Sequence, residues 1–82
     1  MNERAIVSRI SCSPEVLAGK PVIRGTRLSV EFILNLMAKG ATAQSILEEY
    51  GGLELDDIQA CLLFASQSLS GTSYMPLVAE TA

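Results

Sequence analysis

Apolar residues in the second half of the chain recur at helical spacing. In residues 30–39 one face is apolar, because the side chains at i, i+3, i+4 and i+7 are Val30, Ile33, Leu34 and Met37. Residues 42–50 repeat the pattern, and in residues 55–69 it comprises Ile58, Cys61, Leu62, Ala65 and Leu69. Gly40 and Gly51 interrupt the pattern, and glycine commonly ends a helix. We therefore predict three short helices, at about residues 30–39, 42–50 and 55–69.

The residues ahead of these helices predict a small β element at about residues 6–28. An extended chain over residues 6–10 would place Ile6, Ser8 and Ile10 on one face and Val7 and Arg9 on the other, which we interpret as a strand. Within residues 19–28, which have the sequence GKPVIRGTRL, β-prone pairs flank Arg24-Gly25, and glycine accommodates the positive φ of a tight hairpin turn. We expect one mainly α domain over residues 1–69 with this β element at its start, followed by a flexible tail at residues 70–82.

The chain is small and rich in aliphatic side chains. With 82 residues, of which 49% are hydrophobic, one copy has little interior in which to bury so much apolar surface. We therefore expect a homodimer, although a tightly packed monomer with the same side chains in its core stays open as an alternative. The predicted dimer seam consists of Val22, Ile23, Leu28, Phe32, Leu36, Leu63 and Phe64.

Hydropathy along the chain argues against a membrane protein. No stretch approaches the roughly 18 to 20 continuous apolar residues that a membrane-spanning helix needs. The first four residues, MNER, also lack the charged-then-apolar layout of a signal peptide. We expect a cytoplasmic protein that makes no membrane contact.

Charge is divided unevenly between the two halves of the chain. Residues 1–39 contain all six basic residues and three acidic ones, whereas residues 40–82 contain six acidic residues and no basic one. Halves of opposite sign suggest two different binding faces, or one face that pairs with the other in a dimer.

The residues of common enzyme and metal sites are missing from the sequence. The chain has no histidine, and its two cysteines, Cys12 and Cys61, stand far apart with no Cys-x-x-Cys spacing. Zinc and haem sites of the usual kinds are thereby excluded, and so is a general base of the commonest type. We expect no catalytic residues, no metal site and no cofactor, and hence a protein that is not an enzyme.

Three segments of the sequence resemble a known bacterial family. The run at residues 19–28, the run ILEEY at residues 46–50 and the run DDI at residues 56–58 are similar to the domain-of-unknown-function family numbered four hundred and thirty-three. The resemblance covers about residues 10–66. It implies a homeodomain-like domain with an N-terminal β element and a three-helix helix-turn-helix core. Many members are VapB-type antitoxins, encoded beside a PIN-like nuclease toxin.

This resemblance implies a dimeric helix-turn-helix regulator that binds operator DNA, with residues 42–50 as the supporting helix and residues 55–67 as the recognition helix. The residues that we expect to contact DNA are Lys20, Arg24, Arg27, Lys39 and Gln59. For Arg24 and Arg27, pairing with acidic residues in a dimer and plain solvation are alternatives. The predicted recognition helix contains no lysine or arginine, although phosphate contacts dominate DNA affinity.

An alternative function is a protein-interaction module that neutralises a PIN-like nuclease without sequence-specific DNA binding. The acidic second half of the chain, with Glu48, Glu49, Asp56 and Asp57, would then meet a basic partner. The tail offers an apolar cluster for the same partner, consisting of Tyr74, Met75, Leu77 and Val78.

Overall fold

Residues 2–70 fold into four α-helices and a minimal β element. The computed structural model describes residues 2–70. In chain order the elements are α1 (Glu3–Val7), β1 (Ile10–Ser11), a single 3-10 turn (Leu17–Gly19), β2 (Val22–Ile23), α2 (Val30–Ala38), α3 (Ala43–Glu49) and α4 (Leu55–Ser70). The predicted mainly α fold with a small β element near its start is confirmed.

Local capping explains where α2 and α3 begin. The Ser29 hydroxyl accepts a hydrogen bond from the backbone N–H of Phe32 at 2.9 Å. Thr42 and Ser45 exchange side-chain and backbone hydrogen bonds, both of 3.0 Å, in a capping box. The bounds of α2, α3 and α4 lie within one residue of the three predicted helices.

The strand predicted at residues 6–10 is wrong over most of its length. Residues Glu3–Val7 form α1, which begins where the side chain of Asn2 accepts a hydrogen bond from the N–H of Arg4 at 2.9 Å. The run IVSRI at residues 6–10 has no strict alternation of apolar and polar side chains, so it fits a short helix as well as a strand, and the cap at Asn2 favours the helix. The predicted β element therefore reduces to the two-residue strands β1 and β2.

The segment predicted as a hairpin, residues 19–28, forms a tight turn. Its strand β2 pairs with β1, which lies earlier in the chain. β2 pairs antiparallel with β1, with Ile10 opposite Ile23 and Ser11 opposite Val22. Beyond β2 the chain turns through Gly25, whose φ is +82°, and Val22 then bridges to Ser29. Backbone hydrogen bonds from Ile23 to Leu28 and from Val30 to Pro21, of 3.0 and 2.9 Å, flank this bridge. Pairing with β1 satisfies backbone groups that a simple two-strand hairpin leaves exposed.

Helix α4 forms one wall of the core and packs against α1, α2, α3 and β1. The buried cluster consists of Ile6, Ile10, Ile23, Val30, Ile33, Ile46, Ile58, Ala60 and Cys61. Val22 and Ile23 are each only 2% exposed within the single chain. Their assignment to a dimer seam is therefore wrong, because β2 is already covered by the chain itself. Among residues 2–70, no helix has the length and apolar character to cross a membrane.

Replacement of Ile58 by alanine is expected to destabilise the fold strongly. Ile58 is 1% exposed on the inner face of α4, so truncation leaves a cavity that costs about 2–5 kcal/mol of unfolding free energy. Urea denaturation followed by circular dichroism measures the loss. Gln67→Ala, on an exposed position of the same helix, is the matched control and should change the unfolding free energy by less than about 0.5 kcal/mol. Equal losses for the two variants would contradict the assignment of the core.

Candidate functional site

A cluster of charged side chains joins the start of α4 to the loop after α1. Arg9 Nη1 lies 2.8 Å from Glu54 Oε1 and 3.0 Å from Asp57 Oδ1, and Arg9 Nη2 lies 3.7 Å from Asp56 Oδ2. Hydrogen bonds from Arg9 to Glu54 and Asp57 raise the pKa of the guanidinium. The single cation of this cluster is therefore committed to three carboxylates.

Asp57 has two structural functions in this cluster. Its second carboxylate oxygen, Oδ2, accepts a hydrogen bond of 2.8 Å from the backbone N–H of Glu54, so it satisfies a donor at the start of α4. The residue is only 7% exposed, and a buried carboxylate requires such partners. Asp57 is thus a positioning residue of the fold and offers no free charge to a ligand.

Arg24, which the sequence analysis placed in contact with DNA, binds the end of α1. Its Nε and Nη2 donate to the carbonyl oxygen of Ser8 at 3.1 and 2.9 Å, and its backbone N–H donates to the carbonyl of Arg9 at 2.7 Å. A cation at this position also complements the negative end of the helix dipole. Arg24 also lines a cleft of about 410 Å³, together with Ala5, Ser8, Arg9 and Asp57.

The other predicted DNA-contacting cations are dispersed. Lys20 Nζ lies 3.1 Å from Glu31 Oε1 in an exposed ion pair. Arg27, in the turn after β2, and Lys39, at the end of α2, are exposed and form no salt bridge within residues 2–70. Of the four predicted cations, only these two remain unengaged by side-chain or backbone partners in that part of the chain.

The outward face of α4 carries leucine rather than charge. Leu55, Leu62 and Leu69 are 51%, 46% and 65% exposed, respectively. Gln59, the remaining predicted DNA contact, lies among them and lines a groove of about 350 Å³ with Leu62, Leu63 and Ser66. Leu62 and Leu69, which the helical pattern had assigned to the core-facing stripe, point away from the core, because the apolar residues of α4 extend around its circumference.

Sequence analysis missed this outward face as a candidate site. The three leucines lie seven residues apart, a spacing visible in the sequence, but helical periodicity alone could not show which apolar face the core would take. Burial of Asp57, Ala60 and Cys61 on one side of α4 leaves the leucines on the opposite side. We call Leu55, Gln59, Leu62, Ser66 and Leu69 the outer stripe of α4.

The remaining residues of the predicted dimer seam lie on different elements and differ in exposure. Phe32 is 37% exposed and packs edge-on against Tyr50, with ring centroids 5.8 Å apart. Leu36, Leu63 and Phe64 are half-buried against the core, and Leu28 is half-buried in the turn after β2. The tail residues predicted to bind a partner, Tyr74, Met75, Leu77 and Val78, lie outside the described residues.

The two cysteines differ in environment, and neither belongs to a metal site within residues 2–70. Cys12 is exposed, whereas Cys61 is fully buried in the core. Burial, together with the nearby negative charge of Asp57, raises the pKa of the Cys61 thiol to about 11 from its ordinary 9.0. In this part of the chain no three His, Cys, Asp or Glu side chains are placed to hold a metal ion.

Comparison with known proteins identifies the class to which this small helical domain belongs. Residues 10–65 match the family described as Protein of unknown function (DUF433), and the chain is a member of that family. A solved relative is a DUF433 member protein from Anabaena variabilis, 26% identical, with a TM-score of 0.73 over 83% of this chain and 67% of that chain. A curated relative is the uncharacterised protein y4eO of Sinorhizobium fredii, 32% identical over 56 residues. The matched segment is 68% of this chain and 25% of that protein, so the chain spans about a quarter of the relative's length.

Replacement of Arg24 by glutamine is expected to loosen α1. The change removes both side-chain hydrogen bonds to the Ser8 carbonyl and the cation at the helix end, so amides of Glu3–Val7 should exchange with deuterium several-fold faster. Mass-spectrometric hydrogen exchange measures this rate. Arg27→Gln removes the same charge from an exposed position without such contacts and should leave α1 unchanged. Equal exchange in both variants would show that Arg24 does not hold α1.

The buried thiol predicts a specific pH dependence of stability. Because the pKa of Cys61 is raised to about 11 in the folded chain, the folded state retains the thiol proton more tightly than the unfolded state. Stability from this group is complete below pH 9.0 and falls as pH rises through 9.0 towards about 11. Urea denaturation over this range should show a steeper loss for the wild type than for Cys61→Ala. Cys12→Ser, the exposed control, should follow the wild type; parallel curves for all three proteins would contradict the assignment.

Proposed function

We propose that this domain is a protein-interaction module of the antitoxin kind, which binds a basic nuclease partner of the PIN-like class through its acidic α3 surface. The observation that carries the proposal is the charge of the second half of the chain, where residues 40–82 contain no lysine or arginine. The acidic side chains of residues 40–82 therefore have no lysine or arginine in the same segment to neutralise them. Their surface favours a positively charged partner.

The free negative charge concentrates on α3. Glu48 and Glu49 are both exposed, and neither forms a salt bridge within residues 2–70. The neighbouring acids at the start of α4 differ, because Arg9 partly neutralises Glu54, Asp56 and Asp57. Glu48 and Glu49 are therefore the acidic side chains that a basic partner would meet first.

The positions of the cations argue against DNA as the main ligand. A recognition helix needs lysine or arginine for phosphate contacts, and the outer stripe of α4 offers leucine, glutamine and serine instead. Arg9 and Arg24 are committed to contacts within the fold, and Lys20 is paired with Glu31. The three exposed cations without a salt bridge or a side-chain hydrogen bond in residues 2–70, Arg4, Arg27 and Lys39, lie in three different segments and none lies on α3 or α4, so they are a weak basis for binding a polyanion.

The second candidate, a dimeric helix-turn-helix regulator of its own operon, is favoured by one observation. Helices α3 and α4 pack against each other across a short connection at residues 50–54, in which Gly52 has a φ of +95°. A tight glycine turn between two helices is the arrangement used by helix-turn-helix proteins. The connection supports the geometry of such a motif but supplies no charge for it.

Neutralisation of Glu48 and Glu49 is expected to weaken partner binding. Glu48→Gln/Glu49→Gln should raise the dissociation constant for the product of a neighbouring PIN-like gene by about tenfold or more, roughly 1.4 kcal/mol, measured by calorimetry at low salt. The matched control, Glu3→Gln/Glu31→Gln, makes the same change in net charge on α1 and α2 and should bind like the wild type. An equal loss of affinity in both double variants would show that only the overall charge of the domain matters. No loss of affinity in either variant would contradict the proposal.

A salt titration of DNA binding distinguishes the two candidates. The proposal expects the wild type to bind DNA from upstream of its own gene no better than scrambled DNA of equal length, even at low salt. A clear preference for the upstream sequence, weakened by Arg27→Gln or Lys39→Gln, would favour the regulator instead.

A further inference from the structure

We infer that the outer stripe of α4 is a dimer seam, which pairs with the same stripe of a second copy of this chain. This surface is separate from the proposed partner surface on α3 and from the seam predicted from the sequence. The inference therefore does not depend on the nuclease proposal.

The residues of the outer stripe have the spacing of a coiled-coil seam. Leu55, Gln59, Leu62, Ser66 and Leu69 follow one another at intervals of four, three, four and three residues. That alternation places one residue on the same side of a helix at every turn, and it is the seam pattern of a two-helix coiled coil. Leucine occupies every d position, and the polar residues Gln59 and Ser66 occupy the a positions.

The outer stripe lies on the side of α4 that faces away from the core. At 100° per residue, the stripe is centred on the side of α4 opposite Asp57, Ala60 and Cys61, which are buried in the fold. The three stripe leucines are about half exposed or more, although leucine is commonly buried. They account for three of the five large exposed apolar side chains in residues 2–70, the others being Leu17 and Phe32. The fold itself leaves the stripe uncovered and continuous.

The uncharged surface of the outer stripe favours a second copy of this chain over DNA or a basic nuclease. The stripe carries no charge, whereas DNA and a basic nuclease both present charged surfaces. A second α4 presents an uncharged stripe of the same length and period. In a parallel, in-register pair each leucine meets its own counterpart, and the amide of Gln59 meets an amide that can both donate and accept hydrogen bonds.

The pairing has a consequence for function. The outward face of α4 is the face that a recognition helix would insert into the major groove. A dimer built on this face would cover it, and its two α3 helices would still present Glu48 and Glu49 to other molecules.

The oligomeric state of charge-matched variants tests the inference. Sedimentation equilibrium of the 82-residue chain over a concentration series should show a reversible dimer. Leu62→Glu should raise the dimer dissociation constant by about tenfold or more, because it places two carboxylates in the centre of the seam. Gln67→Glu, which adds the same charge to an exposed position about 120° around α4 from the centre of the stripe, should dimerise like the wild type. Circular dichroism should show both variants folded, since Leu62 is about half exposed.

Disulfide trapping tests the in-register pairing independently. In a Cys12→Ser background, Ser66→Cys should form a disulfide-linked dimer on mild oxidation, since a seam residue meets its own counterpart. Gln67→Cys, directed away from the seam, should cross-link far less. The inference is overturned if the wild type stays monomeric throughout the concentration series or if Leu62→Glu dimerises as well as Gln67→Glu. Equal trapping at positions 66 and 67 would also overturn it.

Discussion

Burial of the inner face of α4 is the interaction on which the rest of this small domain depends. α1, α2, α3 and β1 all pack against that helix, and its residues Ile58, Ala60 and Cys61 are among the least exposed in the chain. Without α4, none of the short elements would have an apolar surface large enough to hold it in place. The position of α4 therefore determines the position of everything else.

Polar contacts fix the start of that helix and the end of α1. Asp57 caps the first turn of α4 while it accepts a hydrogen bond from Arg9, and Arg24 binds the carbonyl of Ser8 at the end of α1. Arg9 and Arg24, the basic residues next to β1 and β2, thus stabilise the fold. Arg4, Arg27 and Lys39 remain exposed and form no salt bridge within residues 2–70.

With its inner face occupied, α4 can act on other molecules only through its outer face. That face is apolar and uncharged, and the neighbouring α3 is acidic. We propose different protein partners for the two surfaces, a second copy of the chain for α4 and a basic protein for α3. Neither surface has the chemistry of a nucleic-acid interface.

Helices α2, α3 and α4 were predictable from the sequence, but α1 and the relations between distant residues were not. Val30, Ile33 and Gly40 carry local information about one face and its end, so α2 could be predicted closely. α1 was missed because five residues with one buried side chain, Ile6, do not distinguish a helix from a strand.

The hydrogen bond from Arg24 to Ser8 and the pairing of β1 with β2 join segments far apart in the sequence. No local pattern encodes such contacts, so sequence analysis could treat Arg24 only as a free cation. The exposed leucines of α4 were visible as a seven-residue spacing, but the choice between core and surface depended on how α4 packs against its neighbours.

The most direct test of this account measures the solvent exposure of the stripe leucine methyl groups. Methyl NMR with a soluble paramagnetic agent reports the exposure of Leu55, Leu62 and Leu69 at high and low protein concentration, with and without DNA. The account predicts that all three become protected as concentration rises and that added DNA leaves them unchanged. Methyl groups that stay exposed at every protein concentration and become protected only when DNA is added would contradict it.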